Sequence, residues 1–516
     1  MVSQVMSGAI YGVDVRSVEV EVRARKDASP DDDKKEGGVT LVGLPDTAVR
    51  ESKDRVWSSI IASRRALPRG RVTINLAPAD LRKSGTAYDL PIALCILAAI
   101  EQIPGECLNG AMVIGELALN GKVRPIRGAL ALAMHARKLG MRCIILPREN
   151  ANEAAAAGGP PVYGVSSLAE ALDFLTGALS LRPTQFDSSH LYDNMYAGLP
   201  DFIDVKGQES AKRALTIAAA GNHNLLMIGQ PGTGKTLLAR RIQSILPPLT
   251  PEEAMEVTKV HSIAGVLGPN AGLIVRRPFR DPHHTVSDAG LVGGQAVPRP
   301  GELSLAHCGV LFLDELPEFR RNVLEVMRQP LESGYVTLSR ATGAFVFPAR
   351  IMLIAAMNPC PCGYYGSRTR QCRCSSMQVA AYRGRISGPL LDRIDIHIEV
   401  APIPEELMTA RRNGEDSATM RARVLAARRV QAMRYRGTQI RDNSQLSGKM
   451  LDDFCPLDGE CANMLRCIIS ELRLSARAYD RILRVARTIA DLEASERITP
   501  VHLNEAANYR LLDRQQ

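Results

Sequence analysis

The chain has 516 residues, which at roughly 150 residues per domain suggests three or four domains, and its 45% hydrophobic and 23% charged residues argue against wholesale disorder. Lysine plus arginine number 64 against 55 aspartates and glutamates, and the net charge of +9 fits an anionic partner such as nucleic acid without saying anything about fold. Aromatic residues make up only 4%, with the single tryptophan Trp57, which argues against a single-strand binder built on stacking platforms.

The first residues, MVSQVMSGAIYG, have no basic stretch ahead of an apolar core, so no secretory signal is expected. The longest apolar run, Pro91 to Ile100, is too short to cross a bilayer. Four of the eleven cysteines crowd into fifteen residues, unlike a secreted disulfide scaffold. The expectation is a cytoplasmic protein with no membrane partner.

In chain order, Ser17–Arg25 and Val39–Val42 read as a hairpin interrupted by the polar loop Ala28–Gly38. Thr47–Arg64 reads as an amphipathic helix, Arg71–Leu76 as a strand and Tyr88–Ile100 as a buried helix. Met112–Leu119 and Lys122–Ile126 flank an Asn120-Gly121 turn and predict a second hairpin. Ala129–Leu139 is a predicted helix leading into the strand Arg142–Leu146. The boundaries expected from this pattern are a domain over 1–181, a linker over 182–201, an alternating α/β core over 202–402 and a helical domain over 403–516 with arginine-rich polar faces.

Gly229, Gln230, Pro231, Gly232, Thr233, Gly234, Lys235 and Thr236 fit the spacing G-x-x-x-x-G-K-[ST]. The glycines let backbone N–H groups curl around a phosphate, Lys235 can reach the β- and γ-phosphates, and the Thr236 hydroxyl can take a Mg²⁺ position. The context agrees, because Leu225–Ile228 is a short apolar strand and Lys235–Leu246 opens a helix whose N-terminus favours anions. About eighty residues on, the strand Gly309–Leu313 ends in Asp314 and Glu315. The first carboxylate can hold Mg²⁺ and the second can polarise the attacking water. A third strand, Ile351–Ala355, runs into Asn358, whose amide could orient that water. The cofactors expected are ATP and Mg²⁺.

These motifs, with LLDRIDIH and the helical tail, resemble the AAA+ ATPases. More narrowly, DVKGQESAKRALTIAAAGNHNLLMIGQPGTGKT, FRDPHHTVSDAGLVGG, PRPGELSLAHCGVLFLDELPEF, MNPCPCGYYG and RISGPLLDRIDIHIEV are similar to the magnesium-chelatase-like branch called YifB or ComM, over essentially the whole chain. The resemblance implies an α/β multidomain protein with an AAA+ P-loop core and a C-terminal helical lid, assembled as a homo-oligomeric ring, expected to be a hexamer, with ATP at each interface. It implies that Arg393 is the finger a neighbour offers to the γ-phosphate, with Arg385 as the other candidate, and that Arg477 is a lid arginine sensing nucleotide in cis. A permanently charged, planar guanidinium suits those tasks.

Tyr335–Ser339 and Ala344–Phe347 read as two strands joined across residues 340–343. The resemblance implies that this hairpin points into the ring's pore, making Arg340 a candidate phosphate contact. The segment His261–Gly294 resembles an insert lining the same pore, and adds Arg276 and Arg277 as DNA-contact candidates, with Arg280, His283 and His284 nearby. Further arginines, from Arg411 and Arg412 through Arg421, Arg423, Arg428, Arg429, Arg434, Arg436 and Arg441, spread over several helical faces, so DNA contact and plain solvation are both open readings.

Cys360, Cys362, Cys372 and Cys374 form C-x-C, nine residues, C-x-C. Four thiolates on one loop could close a structural zinc site, although one-residue spacing departs from the usual two to four; free thiols and disulfides are the alternatives. Finally, Lys83–Ala93 and Gly121–Asn150 resemble the proteolytic domain of Lon and its relative in RadA, implying an S5/Lon-like α+β N-terminal domain. That family needs a serine and a lysine, yet Ala87 stands in the serine position, Leu130 and Leu132 where lysines occur, and Ser84 three positions early. No peptidase activity is expected.

The resulting expectation is an ATP-driven hexameric helicase promoting branch migration during natural transformation, with sequence-independent DNA binding. The alternative is a protein-remodelling ATPase of the magnesium-chelatase motor type, against which the front domain and the cysteine loop argue.

Overall fold

Val2–Tyr11 (β1) turns at Gly12, whose φ of 65° suits a two-residue hairpin loop, and pairs antiparallel with Asp14–Ala24 (β2). Along β2 the alternate residues Val18, Val20 and Val22 are fully buried, as expected of a strand with one core face. Val39–Val42 (β3) pairs parallel with Val72–Ala77 (β4), and β4 pairs antiparallel with β2. The expected hairpin between residues 17–25 and 39–42 therefore does not form. The strand β4 lies between them because its own alternating Val72, Ile74 and Leu76 complete the buried face. In this computed structural model, residues 2–24, 39–68, 70–83, 85–294, 298–340, 343–367, 370–404, 414–472 and 475–510 are described; the loop 28–38, Arg69, Ser84, Arg411 and Arg412 lie outside them.

Ala111–Val113 (β5) is buried on both faces and joins β1 in parallel. Only Glu116–Leu117 (β6) and Val123–Arg124 (β7) close as the second predicted hairpin. Cys143–Pro147 (β8) and Val162–Val165 (β9) extend the large sheet in parallel, giving the order β3-β4-β2-β1-β5-β8-β9. Beyond Asp89, whose buried carboxylate pairs with Arg55, the helix Asp89–Ala99 is apolar on every side and buried along its whole length, which is what its apolar sequence requires. The predicted helix over 47–64 is interrupted at Glu51, forming Thr47–Arg50 and Ser52–Ala62, with Asp46 accepting from the Val49 N–H as an N-cap.

A second sheet is parallel throughout. Its strands are Leu225–Gly229 (β10), Phe279–Arg280 (β11), Val310–Leu313 (β14), Met352–Met357 (β17) and Ile396–Val400 (β18), in the order β11-β14-β17-β10-β18. Gly293–Gly294 (β12) with Arg299–Pro300 (β13), and Tyr335–Arg340 (β15) with Gly343–Pro348 (β16), form separate two-stranded ribbons. The fully apolar runs LLMIG, VLFL and MLIAAM are buried on both faces, as parallel strands covered by helices must be. The helices Glu209–Gly221, Ser417–Arg434, Ala476–Leu492 and Pro500–Asn508 share one hydrophobic cluster with this sheet.

The chain divides into two compact units, one of Met1–Leu191, Pro251–Ile274 and Ser339–Val346, the other of Tyr192–Thr250, Val275–Leu338 and Phe347–Gln516. Residues 192–201 have no helix or strand but are anchored in the second unit, where the Tyr192 and Tyr196 hydroxyls donate to the carbonyls of Leu249 and Leu246, each at 3.0 Å. Among the described residues, no helix is long and apolar enough to cross a membrane.

Candidate active site

The site is built where three parallel strands end. Ile228 of β10 lies beside Met357 of β17, and Leu313 of β14 beside Ala355, so Gly229, Asp314 and Asn358 all emerge from the same edge of the sheet. Carboxyl ends of parallel strands are where open α/β sheets bind ligands. Gly232 and Gly234 adopt φ of 81° and 88°, and open space lies where a Cβ would stand at either, leaving a cradle free of side chains. Gly229 is required for a different reason, since a Cβ there would come within 2.6 Å of the Val400 carbonyl oxygen.

Lys235 opens the helix Lys235–Arg241 and is only 8% exposed. Its Nζ donates to the carbonyls of Gly229 at 2.7 Å and Gln230 at 2.9 Å, and to Asn358 Oδ1 at 3.1 Å. Burial pushes the Lys235 ammonium below its ordinary pKa, opposed by the charges of Asp314 and Glu315. The Thr236 hydroxyl donates to Asp314 Oδ2 at 2.5 Å. Asp314 also accepts the Glu315 N–H at 2.9 Å, and Glu315 sits in the left-handed region with φ of 52°. That conformation is uncommon for a residue other than glycine.

These residues fit a magnesium nucleotide. Lys235 and the open N–H cradle suit phosphate oxygens, and a hydroxyl beside a carboxylate is an oxygen donor pair suited to a hard cation. The structure thus joins Lys235 to Asn358 and Thr236 to Asp314 by side-chain hydrogen bonds at the same end of the sheet, with Glu315 adjoining. Two neighbours adjoin this group, of which Tyr382 is not among the sequence-based candidates. His284 Nδ1 stands 3.7 Å from Glu315 Oε2, and Tyr382, whose hydroxyl is pushed up to about 12 by burial, shares a hydrogen bond with the Asn358 backbone. His284 was legible only as a charge candidate, because its proximity to Glu315 comes from tertiary folding.

Arg393 and Arg477 lie elsewhere. Arg393 precedes β18, which runs parallel to β10, so it stands at the opposite sheet edge from Gly229, about 16 Å of strand away. Its guanidinium donates to the Pro389 carbonyl at 2.6 Å and pairs with Glu332. Arg477 contacts Asp392 at 3.3 Å at that same far edge, where Arg481 also reaches Asp392 and Asp395. The resemblance implies that Arg477 senses nucleotide in cis; here it stands beside Asp392, away from the phosphate loop of its own chain. Arg385, the other finger candidate, pairs with Glu318 at 3.0 Å just past Glu315, on the near edge.

The DNA-contact candidates separate sharply. Arg276 donates to the carbonyls of Met195 (2.8 Å) and Ala197 (3.1 Å), and Arg277 to those of Pro247 (2.9 Å), Cys308 (2.7 Å) and Pro248 (3.3 Å). Both guanidiniums are tied to the chain's own backbone, and Arg280 makes a bidentate pair with Glu302. Arg340, at the end of β15, is exposed. On the helix Ser417–Arg434, Arg421 stacks on Tyr196 at 3.8 Å and Arg434 pairs with Asp491, whereas Arg429 faces solvent. In the N-terminal unit, Leu130 and Leu132 are buried in an apolar cluster against which Ala87 packs, so the positions where the Lon resemblance calls for serine and lysine carry no nucleophile or base.

The four cysteines converge. Cys360, Cys362, Cys372 and Cys374 have all four sulfurs within 4.8 Å of one another. N–H groups of Arg373 and Tyr364 directed at the Cys362 sulfur pull its thiol down to about 6.

Comparison with known proteins places these features in a family. Residues 201–408 match the family described as "Magnesium chelatase, subunit ChlI", residues 31–150 that described as "Subunit ChlI of Mg-chelatase", and residues 414–510 "Magnesium chelatase, subunit ChlI C-terminal". The chain is 44% identical to the protein YifB of Escherichia coli (strain K12) over 520 residues, covering 99% of this chain and 97% of that protein. It is 43% identical to the competence protein ComM of Haemophilus influenzae over 513 residues, with 99% and 97% covered. It is 27% identical to the magnesium-chelatase 67 kDa subunit of Chlorobaculum tepidum over 228 residues, covering 42% of this chain and 30% of that one. The front domain thus also matches a family named for the chelatase subunit, so its presence does not by itself set the chain apart from chelatase motors. The breadth of the match does.

Proposed function

The chain belongs to the magnesium-chelatase-like YifB and ComM family of AAA+ ATPases, and from that premise we propose that it is an ATP-hydrolysing ring motor that moves on DNA. The family implies ATP and Mg²⁺ as cofactors. Lys235 and the backbone N–H groups of Gly232–Thr236 would hold the phosphates, Thr236 and Asp314 would hold the cation, and Glu315 as base and Asn358 would position the attacking water. Bound Mg²⁺ supplies charge neutralisation at the phosphates. The observation that carries the ring is the division of labour between sheet edges. One edge gathers Lys235, Thr236, Asp314 and Asn358, and the other presents Arg393 and Arg477, which reach a nucleotide only if it belongs to a neighbouring copy. A closed ring satisfies both edges of every copy, with a hexamer as the assembly proposed.

DNA as substrate rests on the net charge of +9, on the exposed Arg340 of the hairpin and on a relative named a competence protein. Helicase action with branch migration in natural transformation is the reading proposed. Helices from Ser417 to Asn508 act as the lid, and residues 1–181 form a Lon-like domain without peptidase chemistry. The four cysteines hold a structural zinc.

ATP turnover with and without forked or four-way DNA tests the proposal. DNA should stimulate turnover and Lys235→Ala should abolish strand displacement; displacement retained by Lys235→Ala would end the motor assignment. Stimulation by a protein partner alone would favour the remodelling ATPase that the chelatase similarity suggests.

A further inference from the structure

Cys360 and Cys362 follow Asn358 two and four residues on along the chain, and Cys372 and Cys374 close the same loop. The Cys360 and Cys362 sulfurs are 3.4 Å apart, Cys360 and Cys372 3.7 Å, and Cys362 and Cys372 3.6 Å. A disulfide needs about 2.05 Å. Four thiolates, each about 2.3 Å from a tetrahedral zinc, stand about 3.8 Å apart along every edge. The separations lie close to that edge and far from a disulfide. The Cys374 N–H points at the Cys372 sulfur at 3.4 Å, and such N–H donors offset part of the negative charge that four thiolates bring to one divalent ion.

The same loop lies against the phosphate loop. At Gly363, between the two cysteine pairs, φ is 84° and an added Cβ would stand 2.6 Å from Pro231 Cδ and Cγ. The Ser367 hydroxyl donates to Gln230 Oε1 at 3.2 Å. Gln230 and Pro231 are the two residues that lead into the Gly232–Gly234 cradle, and the Gln230 carbonyl also receives Lys235. The described residues of this loop form only turns and irregular backbone, so no strand or helix ladder holds it in place. A cross-link at its base would remove much of its conformational freedom.

We propose that Cys360, Cys362, Cys372 and Cys374 bind one zinc ion as a tetrathiolate, and that the metal fixes this loop as the outer wall of the phosphate loop, so that its loss weakens nucleotide binding although no cysteine touches nucleotide. The second half rests on the reading of Gly229–Thr236 as the nucleotide site. Cys360, Cys362, Cys372 and Cys374 are the ligands; Ser367 and Gly363 transmit the position, by a hydrogen bond and by close packing respectively.

The full-length protein, purified under reducing conditions, decides both halves. Elemental analysis should find a single zinc per chain, released on titration with an organomercurial, and the cobalt-substituted protein should show thiolate-to-metal charge-transfer absorption. Binding of a fluorescent ATP analogue should weaken about tenfold or more in Cys372→Ser, together with zinc loss, and severalfold in Ser367→Ala with zinc retained. Lys235→Ala should keep its zinc and lose the nucleotide. Absence of stoichiometric zinc, or iron in its place, overturns the site. Zinc present with nucleotide affinity unchanged in Ser367→Ala overturns the coupling. If Cys372→Ser does not fold, Ser367→Ala and the cobalt spectrum still decide. A wild-type protein that binds zinc but no nucleotide would instead refute the nucleotide site itself.

Discussion

The Thr236 hydroxyl donates to Asp314 Oδ2 at 2.5 Å although 78 residues separate them in the chain. Parallel pairing of β14 and β10 on either side of β17 brings the two to one end of the sheet, and the cation site proposed for their two oxygens depends on both strands ending there. Glu315, one residue on, takes a left-handed backbone with φ of 52° and its carboxylate stands 3.7 Å from His284 Nδ1. The two acids should therefore fail differently. Asp314→Ala should lose Mg²⁺-dependent nucleotide binding, whereas Glu315→Gln should bind ATP normally and turn it over about 10²–10⁴-fold more slowly, the usual contribution of a positioned general base. Single-turnover kinetics beside equilibrium binding separates the two, and wild-type turnover by Glu315→Gln would remove it from the catalytic group.

Arg393 gives a test of shared sites. Because it stands across the sheet from its own phosphate loop, Arg393→Ala should, if the proposed finger role holds, retain ATP binding and lose turnover by about 10³-fold or more, the size expected for loss of an arginine finger. Mixing Arg393→Ala with Glu315→Gln should restore part of the activity, since some interfaces then combine an intact Glu315 with an intact Arg393. No recovery in mixed assemblies, with both variants shown to co-assemble, would place the finger on another residue. Arg385, paired with Glu318 on the near edge, is the alternative to replace next.

The parts of this site legible in sequence are those encoded locally. Gly229–Thr236, Asp314 and Asn358 each terminate a short apolar run, so both the strand and its catalytic tip can be read from neighbouring residues. The order β3-β4-β2 is not legible in sequence, because strand pairing depends on which distant edge completes a buried face, and neither is β1, because Ser3, Gln4 and Ser7 interrupt its apolar pattern. The arginines show the same limit. Arg276, Arg277 and Arg340 are alike as charges, yet five carbonyl contacts occupy the first two while the third is exposed, and only tertiary structure distinguishes them. The position of Arg477 likewise follows from strand direction rather than from its motif.

Asp395 should give the acid stability of the second unit a recognisable limb. It is buried beside His223 at 3.2 Å and Arg481 at 3.6 Å. Burial alone would raise its pKa, but the His223 hydrogen bond and the nearby charges of His223, Arg484 and Arg481 hold the carboxyl down to about 2. A carboxylate whose folded pKa lies below its unfolded value of about 3.8 stabilises the fold fully above that value and loses the contribution as pH falls towards 2. The size is about 2 kcal/mol. Asp395→Asn should therefore lower the melting temperature at pH 7, leaving buried cationic groups uncompensated, and the gap from wild type should narrow between pH 4 and pH 2. A gap independent of pH over that range would show that the charge of Asp395 is not what stabilises the site.

Arg340 is the remaining question about where the charge acts. The far half of its hairpin, Ser339–Val346, groups with the N-terminal unit, in which Phe345 packs on Tyr11 with ring centroids 4.5 Å apart. The hairpin is thus braced by an aromatic contact three residues into β16 while Arg340 remains exposed. A braced, exposed guanidinium suits a backbone phosphate better than a base edge, since contact with phosphate needs position and charge but no sequence-specific donor pattern. Arg340→Ala should then weaken binding to unrelated DNA sequences by the same factor and flatten the dependence of affinity on salt, because each lost phosphate contact removes about one released counterion from the slope. Arg429→Ala, which removes a solvent-facing charge from the helix Ser417–Arg434, should change that slope much less. An equal effect of the two replacements would mean that net charge, rather than the hairpin, provides the grip.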